Sequence, residues 1–293
     1  MNEKMNEILR LEGVSYTYSA GTSQHTDALD HVSAGFEKGK ITGVIGHTGS
    51  GKSTLAQLLN GLLRPDSGKV LFHGRDIWEK PKEIAALRFR VGLVMQYPEY
   101  QLFDETVERD IGFGLRNMKL PADEIHTRVR EAAAFVGLTE EHLKKSPFDL
   151  SGGEKRRAAV AGIIAMRPEV LVLDEPAAGL DPRGRRQILS GLYRYGRESG
   201  TTVILVSHSM EDMALYCDNI LVMDHARVLL YGTTGEVFSR TSDLLGAGLD
   251  IPEISRISAE LLAAGVPLTG ALYTVDGVER SLLSLLGKGG AAC

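Results

Sequence analysis

The sequence has little of what would mark a secreted or membrane-embedded protein. Its only cysteines are Cys217 and Cys293, too few for a disulfide framework and without the spacing of a metal site. No apolar run approaches the roughly 20 residues that a membrane helix needs, and no N-terminal segment has the residue order of a signal peptide. We therefore expect a protein of the reducing cytosol that reaches a membrane only by docking on partners.

The chain also has only a small net charge. The 33 basic and 38 acidic residues leave a net charge of -5, which argues against a general nucleic-acid binder. One basic cluster, Lys155-Arg156-Arg157, is interpreted as a solvated or interface-facing helix turn. With 43% hydrophobic residues, the chain of 293 residues can bury a large core, and we expect one large domain with an appendix.

A glycine-rich segment separates a β-branched run, Ile41 to Ile45, from a helical apolar pattern that begins at Leu55. The segment consists of Gly46, His47, Thr48, Gly49, Ser50, Gly51, Lys52, Ser53 and Thr54. Its glycines let backbone N–H groups turn toward phosphates, while Lys52 can reach the β and γ phosphates and Ser53 can offer a hydroxyl to Mg²⁺. The pattern predicts a nucleoside triphosphate site, and the alternative is a turn with an exposed lysine.

Two acids follow a continuous apolar run, Val170 to Leu173, which is typical of a strand covered on both faces. Asp174 can hold Mg²⁺ opposite Ser53, and Glu175 can polarise the water that attacks the γ-phosphorus. Adjacent strand residues point to opposite sides, so both acids can serve only if the chain begins to turn at Pro176. The alternative is an ordinary polar strand end.

A second anion-facing segment precedes a helix. Ser151, Gly152, Gly153 and Glu154 come directly before the small-residue helix predicted from Arg156 to Met166. The Ser151 hydroxyl and the exposed amides of such a helix start are available to a γ-phosphate. The alternative is a simple N-cap.

Strand and helix patterns alternate along the chain and predict an α/β fold with a mainly parallel sheet and the nucleotide outside the strand carboxyl ends. A β-rich layer comes first, from two strand patterns at Leu9 to Tyr18 and Leu29 to Phe36. The other predicted strands are Val70 to His73, Arg90 to Met95, Val170 to Leu173 and Val203 to Val206. The predicted helices are Lys82 to Leu87, Ala122 to Val136 with Gly137 as its C-cap, Arg156 to Met166, Arg185 to Arg197 and Met210 to Cys217.

The composition changes near Ser239, so we predict a main domain at 1–238 and a C-terminal helical extension at 239–293. Two amphipathic stripes mark the extension, one from Ile254 to Leu262 and one from Val278 to Leu286. Their apolar faces need a surface on their own domain or on a second subunit. The tail beyond Leu286 is predicted to be disordered.

The motifs occur in the order found in the nucleotide-binding domains of ABC transporters, which this chain resembles over about its first 235 residues. They are Gly46 to Thr54, Gln96, Leu150 to Glu154, Leu173 to Pro176, Gly179-Leu180-Asp181 and Ser207-His208. The resemblance implies a P-loop NTPase fold of the ABC type, with the N-terminal β-rich layer, a helical subdomain at about 97–165 and the C-terminal extension. It also implies a head-to-tail dimer in which Ser151 to Glu154 of one subunit close over the ATP of the other.

The same resemblance implies roles for single residues. Tyr18 would stack on adenine, with Tyr16 as the competing choice and strand packing as the alternative for both. Gln96 would sense the γ-phosphate and, with Ser53 and Asp174, the Mg²⁺ ion. Asp181 would bridge the subunits, and His208 would act at the γ-phosphate unless it is an ordinary core histidine. The other seven histidines are given no catalytic role.

The segment from Gln96 to Val107 is similar to that of energy-coupling factor transporter ATPases, above all to the second, cobalt-importer type of the two paired ATPases. Its aromatic and apolar residues predict a groove for a helix of a membrane protein, and the alternative is a buried loop. The resemblance implies an ATPase at the cytoplasmic face of the cell membrane that powers uptake of a vitamin or a transition-metal ion. The implied partners are a second ABC ATPase, with a heterodimer favoured over a homodimer, a transmembrane coupling subunit and a substrate-binding membrane subunit, but no nucleic acid.

Two positions depart from the family pattern. Glu154 stands where most signature sequences have Gln, and Ala177 where many relatives have Thr. A carboxylate near bound phosphate is unfavourable unless it points away or pairs with Lys155 or Arg156.

The sequence fits two other function classes less well. Repair and chromosome ATPases carry a coiled coil or a zinc insert, yet residues 52–150 have no sustained heptads and no cysteine, and translation types carry two cassettes. A regulatory nucleotide-binding module stays open, although Glu175 favours hydrolysis.

Overall fold

The computed structural model describes residues 6–19, 21 and 25–289, which form an α/β fold with two sheets. Within that part of the chain the strands are β1 (Glu7–Tyr18), β2 (Thr26–Glu37), β3 (Ile41–Ile45), β4 (Ser67–Phe72), β5 (Arg75–Asp76), β6 (Val91–Val94), β7 (Val170–Asp174), β8 (Thr202–Val206), β9 (Asn219–Asp224) and β10 (Arg227–Thr233). The first sheet has the order β2-β1-β4-β5, and the second has the order β10-β9-β3-β8-β7-β6.

The helices surround the second sheet and fill the space between the two sheets. They are α1 (Lys52–Leu59), α2 (Ile84–Arg90), α3 (Val107–Ile111), α4 (Phe113–Asn117), α5 (Ala122–Phe135), α6 (Glu140–Lys144), α7 (Gly152–Ala165), α8 (Pro182–Ser199), α9 (Met210–Tyr216), α10 (Thr234–Ser239), α11 (Thr241–Gly246), α12 (Glu253–Ala263) and α13 (Val275–Gly289). Short 3-10 turns occur at Pro81–Glu83, Pro98–Gln101 and Pro147–Asp149. Among the described residues, no helix is both long and apolar enough to cross a membrane.

The second sheet is parallel from β6 through β7, β8 and β3 to β9, and only β10 is antiparallel to its neighbour. Every residue of β3, β7 and β8 is buried, which explains their continuous apolar sequences. Because parallel strands end at the same edge, the segments that follow β3, β6, β7, β8 and β9 meet there. The predicted α/β class and parallel sheet are confirmed.

Two cores cover the two faces of this sheet. On one face, α1 lies between the sheets, where Leu55, Leu58 and Leu59 are fully buried against the N-terminal strands. On the other face, α7 and α8 pack over alternate strand residues such as Leu171 and Leu173. The period-two alternation of β7 thus serves both cores.

Several elements differ from the sequence prediction. Helix α7 begins at Gly152 rather than Arg156, and the piece predicted around Lys82 to Leu87 is a 3-10 turn followed by α2. Strands β9 and β10 were not predicted at all. Helix α13 continues to Gly289, past the expected start of the tail at Leu286, while residues 290–293, including Cys293, lie outside the described residues.

The C-terminal extension packs on its own domain. Leu249 and Ile251 join the main core, and the Tyr273 ring lies 6.0 Å from that of Phe238. Ser258 Oγ donates to the Leu272 carbonyl at 3.1 Å and so ties α12 to the segment that leads into α13. The domain boundary at 238/239 stays a prediction.

Candidate functional site

The phosphate loop joins β3 to α1 in a backbone form that requires glycine. Gly46, Gly49 and Gly51 have positive φ angles of 156°, 83° and 100°. A Cβ atom on Gly46 would lie 2.3 Å from the Met223 carbonyl oxygen, and one on Gly51 would lie 2.2 Å from that of Ala28. No side chain caps α1 at Gly51, so its first amides are available to an anion.

Lys52 is the first residue of α1, and its buried side chain bonds to this loop. Its Nζ atom donates to the Gly46 carbonyl at 2.7 Å and to the His47 carbonyl at 2.9 Å. Burial lowers the pKa of Lys52, although Glu175 and Asp174 oppose the shift. A buried cation beside uncapped amides is suited to a phosphate chain.

Asp174 ends β7 and Glu175 follows it, and both are close enough to Lys52 to act on its pKa. Burial raises the pKa of Asp174, while Ser53 and Lys52 act to lower it. Burial, together with Asp174, raises the pKa of Glu175 to about 7. Within the described residues, Asp174 Oδ1 and Glu175 Oε1 are buried without a hydrogen-bond partner. Buried oxygens of this kind, with the Ser53 hydroxyl nearby, suit a Mg²⁺ ion.

The turn that allows both acids to serve begins one residue earlier than the sequence predicted. Glu175 itself has a left-handed φ of 51°, and its N–H donates to the Val206 carbonyl at 3.1 Å. The expectation that the turn starts at Pro176 was therefore wrong. The left-handed residue redirects the Glu175 side chain to the edge where Asp174 already points.

His208 follows β8 at the same edge. Its side chain is 54% exposed, so it is not a core histidine, and Nε2 lies 3.2 Å from Glu175 Oε1. Partial burial and Lys52 lower the pKa of His208. The exposed Gln96 follows β6 at this edge as well. The fold thus brings the ends of β3, β6, β7 and β8 to one place, as the sequence predicted.

Tyr18 and Tyr16 differ in their surroundings. Tyr18 is 38% exposed, and its hydroxyl lies 3.3 Å from Thr54 Oγ1 at the start of α1. Tyr16 packs against the core between the sheets, with its ring edge-on to Tyr18 at 4.9 Å. Tyr18 is therefore the ring with a face open to a base.

The signature segment forms a capping box at the start of α7. Ser151 Oγ accepts from the Glu154 N–H, and Glu154 Oε2 accepts from Ser151 N and Ser151 Oγ, both at 2.8 Å. Glu154 Oε1 lies 3.1 Å from His142 Nε2, and the Ser151 bonds, with His142 in support, lower the pKa of Glu154 to about 2. Of the two alternatives for this carboxylate, pairing with Lys155 or Arg156 is not the one observed, because the carboxylate turns back onto Ser151. Nothing lies within 4 Å of a Cβ built on Gly152, so the segment faces open space.

The interpretation of the basic cluster as solvated was wrong for Arg156, which is 3% exposed. Its guanidinium donates twice to Glu99, from Nε at 3.1 Å and from Nη2 at 2.6 Å. It also donates to the Ala178 carbonyl. One buried side chain thus joins the signature helix to the segment after Gln96 and to the loop before Asp181. Neither Arg156 nor His142 was found from the sequence.

Asp181 caps α8, where its Oδ1 accepts from the Gly184 N–H at 2.6 Å. The residue is exposed, so it also faces outward.

The segment after Gln96 forms an open groove of about 420 Å³ between α2, α4 and α7. Phe103 and Phe113 stand in its wall, 60% and 43% exposed, with their rings edge-to-face at 5.0 Å. Leu102 is only 8% exposed and belongs to the core, so the alternative of a buried loop holds for that residue.

Comparisons with known proteins point to one family. The family model for ABC transporters matches residues 29–178. The energy-coupling factor transporter ATP-binding protein EcfA2 of Clostridium acetobutylicum is 47% identical over 279 residues, which cover 95% of this chain and 98% of that protein. The EcfA2 protein of Symbiobacterium thermophilum is also 47% identical, over 96% of this chain and 97% of its own.

Two solved structures are similar in fold. CbiO1 from Clostridium perfringens, described as part of the ABC transporter complex CbiONQ, has a TM-score of 0.73 and 41% identity over 87% of this chain and 99% of that chain. The dimeric ABC transporter cassette MJ0796 has a TM-score of 0.70 and 25% identity over 77% of this chain and 98% of its own. From the site and these likenesses together, the chain belongs to the ABC transporter ATPases, in the group of energy-coupling factor transporter ATP-binding proteins.

Proposed function

We propose that this chain is the ATP-hydrolysing subunit of an energy-coupling factor importer. The observation that carries the proposal is the meeting of Lys52, Asp174, Glu175 and His208 at one edge of the parallel sheet. In this arrangement a buried cation faces the phosphates and a carboxyl with a pKa of about 7 lies beside them. A general base works best with a pKa near the working pH.

The residues divide the chemistry among them. The loop amides and Lys52 bind the phosphates, Tyr18 stacks on adenine, and Glu175 accepts the proton of the water that attacks the γ-phosphorus. His208 and Gln96 contact the γ-phosphate. Ser53, Asp174 and Gln96 would hold Mg²⁺, which neutralises charge on the phosphate oxygens when bound.

The second half of the site comes from another subunit. The Ser151 capping box faces open space, so the segment is accessible to the γ-phosphate of a facing subunit. We infer a head-to-tail pair with a related ATPase, or with a second copy, in which Asp181 lies at the subunit boundary. ATP then favours the closed pair, and loss of the γ-phosphate opens it.

The groove with Phe103 and Phe113 receives a helix of a transmembrane coupling subunit, which acts with a substrate-binding membrane subunit. Two exposed phenylalanines in a concave surface are typical anchors for such a helix. Docking of this kind supports a position at the cytoplasmic face of the membrane, where the protein powers uptake of a vitamin or a transition-metal ion.

Mixing two inactive variants tests the shared site. Ser151→Phe blocks one half and Lys52→Ala blocks the other, and a mixed pair contains one site free of both changes. Random mixing should then restore about a quarter of the wild-type ATP hydrolysis. If the chain works only with a related ATPase, the same variants are combined with the ATPase captured from solubilised membranes. Full activity of Ser151→Phe in a monomer by light scattering would contradict the proposal.

A further inference from the structure

Three side chains with groups that can bind a metal meet at the edge of the phosphate loop, to which His47 itself belongs, and none of them takes part in the proposed hydrolysis. His47 Nε2 lies 2.9 Å from Asp224 Oδ1, His225 Nε2 lies 3.8 Å from the same oxygen, and the three ligand groups lie within 4.8 Å of one another. The side chains of His47 and Asp224 are 37% and 22% exposed, and that of His225 is 86% exposed. The cluster is thus half-enclosed and open on one side.

The sheet places these residues. His47 follows β3, and Asp224 ends β9, which is the parallel neighbour of β3. His225 has a left-handed φ of 43° in the tight turn between β9 and β10, so its ring returns toward the strand end. The turn is held in place because Asp30 N donates to the Ala226 carbonyl at 2.8 Å.

The hydrogen bonds of His47 indicate that its Nε2 atom can bind an ion. Its Nδ1 atom lies 2.9 Å from the Thr48 carbonyl oxygen, so Nδ1 carries a proton. In the neutral ring, Nε2 then presents a lone pair to the Asp224 carboxylate, and two acceptors 2.9 Å apart repel each other. Either a second proton on Nε2 or a metal ion between the two groups removes the repulsion.

We propose that His47 Nε2, Asp224 and His225 Nε2 bind one divalent first-row transition-metal ion, such as Zn²⁺ or Co²⁺. Two imidazoles and one carboxylate suit these ions, whereas Mg²⁺ and Ca²⁺ prefer oxygen ligands only. Tetrahedral bonds of about 2.0–2.1 Å set neighbouring ligand atoms about 3.3 Å apart, and the 2.9 and 3.8 Å separations bracket this value. The Thr48 carbonyl fixes the tautomer of His47 as an outer partner does in known sites.

The site stands apart from the proposed ATPase activity, yet it touches the same loop. The His47 carbonyl accepts from Lys52 Nζ at 2.9 Å, so an ion that holds His47 also restrains the backbone around the phosphate-binding lysine. The expected consequence is a change in ATP affinity when the ion binds.

Titration of the nucleotide-free full chain with Co²⁺, followed by visible absorption, tests the site. We expect saturable binding of one ion per chain, displaced by Zn²⁺, and an affinity at least ~10-fold weaker in His225→Gly and in Asp224→Asn. Glycine accepts the left-handed backbone at position 225, so the turn is kept.

The chain offers a matched control. His31 also follows an aspartate, pairs with that Asp30 and has a left-handed φ of 52°. Among the described residues, however, no third metal-binding side chain joins this pair. His31→Gly should leave Co²⁺ binding unchanged. Equal affinities in wild type and His225→Gly would overturn the proposal, as would binding that is lost in Asp174→Asn but kept in His225→Gly.

Discussion

His208 Nε2 lies 3.2 Å from Glu175 Oε1, so the half-exposed histidine that follows β8 meets the partly buried acid that follows β7. The contact leaves Glu175 Oε1 buried and outside hydrogen-bond geometry, which suits an oxygen that takes up a proton from water. In the proposed mechanism Glu175 accepts the proton of the attacking water and His208 contacts the γ-phosphate.

Glu175→Gln should lower steady-state ATP hydrolysis by about 100-fold or more while ATP still binds, because the amide cannot accept the proton. Phosphate release and retention of labelled ATP measure the two effects. Glu211→Gln, an exposed acid nearby on α9, serves as the control and should hydrolyse normally. Undiminished hydrolysis in Glu175→Gln would refute the assigned base.

The signature capping box should make stability depend on pH in a defined range. The pKa of Glu154 falls from its ordinary 4.5 to about 2 in the folded protein, so its contribution is present above pH 4.5 and is lost as pH falls toward 2. Glu154→Gln should therefore lower the free energy of unfolding by about 1 kcal/mol at pH 7, a modest value because solvent screens the carboxylate.

Urea unfolding of the wild type and of Glu154→Gln between pH 7 and pH 3 measures their difference in unfolding free energy. That difference should become smaller below pH 4.5. Glu141→Gln, an exposed acid of α6, should show no such narrowing. If the difference in unfolding free energy stays constant down to pH 3, the hydrogen bonds from Ser151 do not stabilise the charged form of Glu154.

Removing only one partner of the ion pair between Arg156 and Glu99 should lower the free energy of unfolding strongly. Arg156→Ala leaves the Glu99 carboxylate without its partner, and we expect about 3–5 kcal/mol less stability by urea unfolding. The double variant Arg156→Met with Glu99→Gln should recover part of this loss. Arg167→Ala breaks an ion pair with Glu131 whose side chains are 59% and 58% exposed, and should cost below about 1 kcal/mol. Equal losses for the buried and exposed pairs would contradict the burial argument.

Phe103→Glu should detach the protein from membranes while ATP binding is unchanged. A charge in the wall of the groove opposes burial of an apolar helix there. Leu215→Glu is the matched control, since Leu215 on α9 is also 60% exposed. Co-sedimentation with membranes and binding of a fluorescent ATP analogue give the two readouts. Continued sedimentation of Phe103→Glu with membranes would count against the groove as the docking surface.

The sequence predicted the central strands and the phosphate loop because their signals are local. Residues Val170 to Leu173 form an unbroken apolar run, and the loop follows Ile45 without a gap. Strand β10 gave a weaker signal, since it lies at the sheet edge and no residue in it is fully buried. Without β9 and β10, the position of Asp224 at the nucleotide edge could not be recognised.

Other features depend on contacts between distant residues. Arg156 and Glu99 are 57 positions apart, so a basic triplet gave no sign that its middle member is buried. The two glycines at the start of α7 disfavour a helix by propensity, yet the Ser151 and Glu154 box stabilises it from Gly152. The cap overrides propensity there, and its glutamate acts as a hydrogen-bonding partner as well as a charge.

The left-handed backbone at Glu175 sets folding stability against catalysis. A residue with a Cβ atom pays about 1–2 kcal/mol to remain in that conformation, whereas glycine does not. Glycine at position 175 would therefore give a sturdier molecule that has lost its base. At this turn, selection for folding stability would favour glycine, whereas selection for ATP hydrolysis favours glutamate.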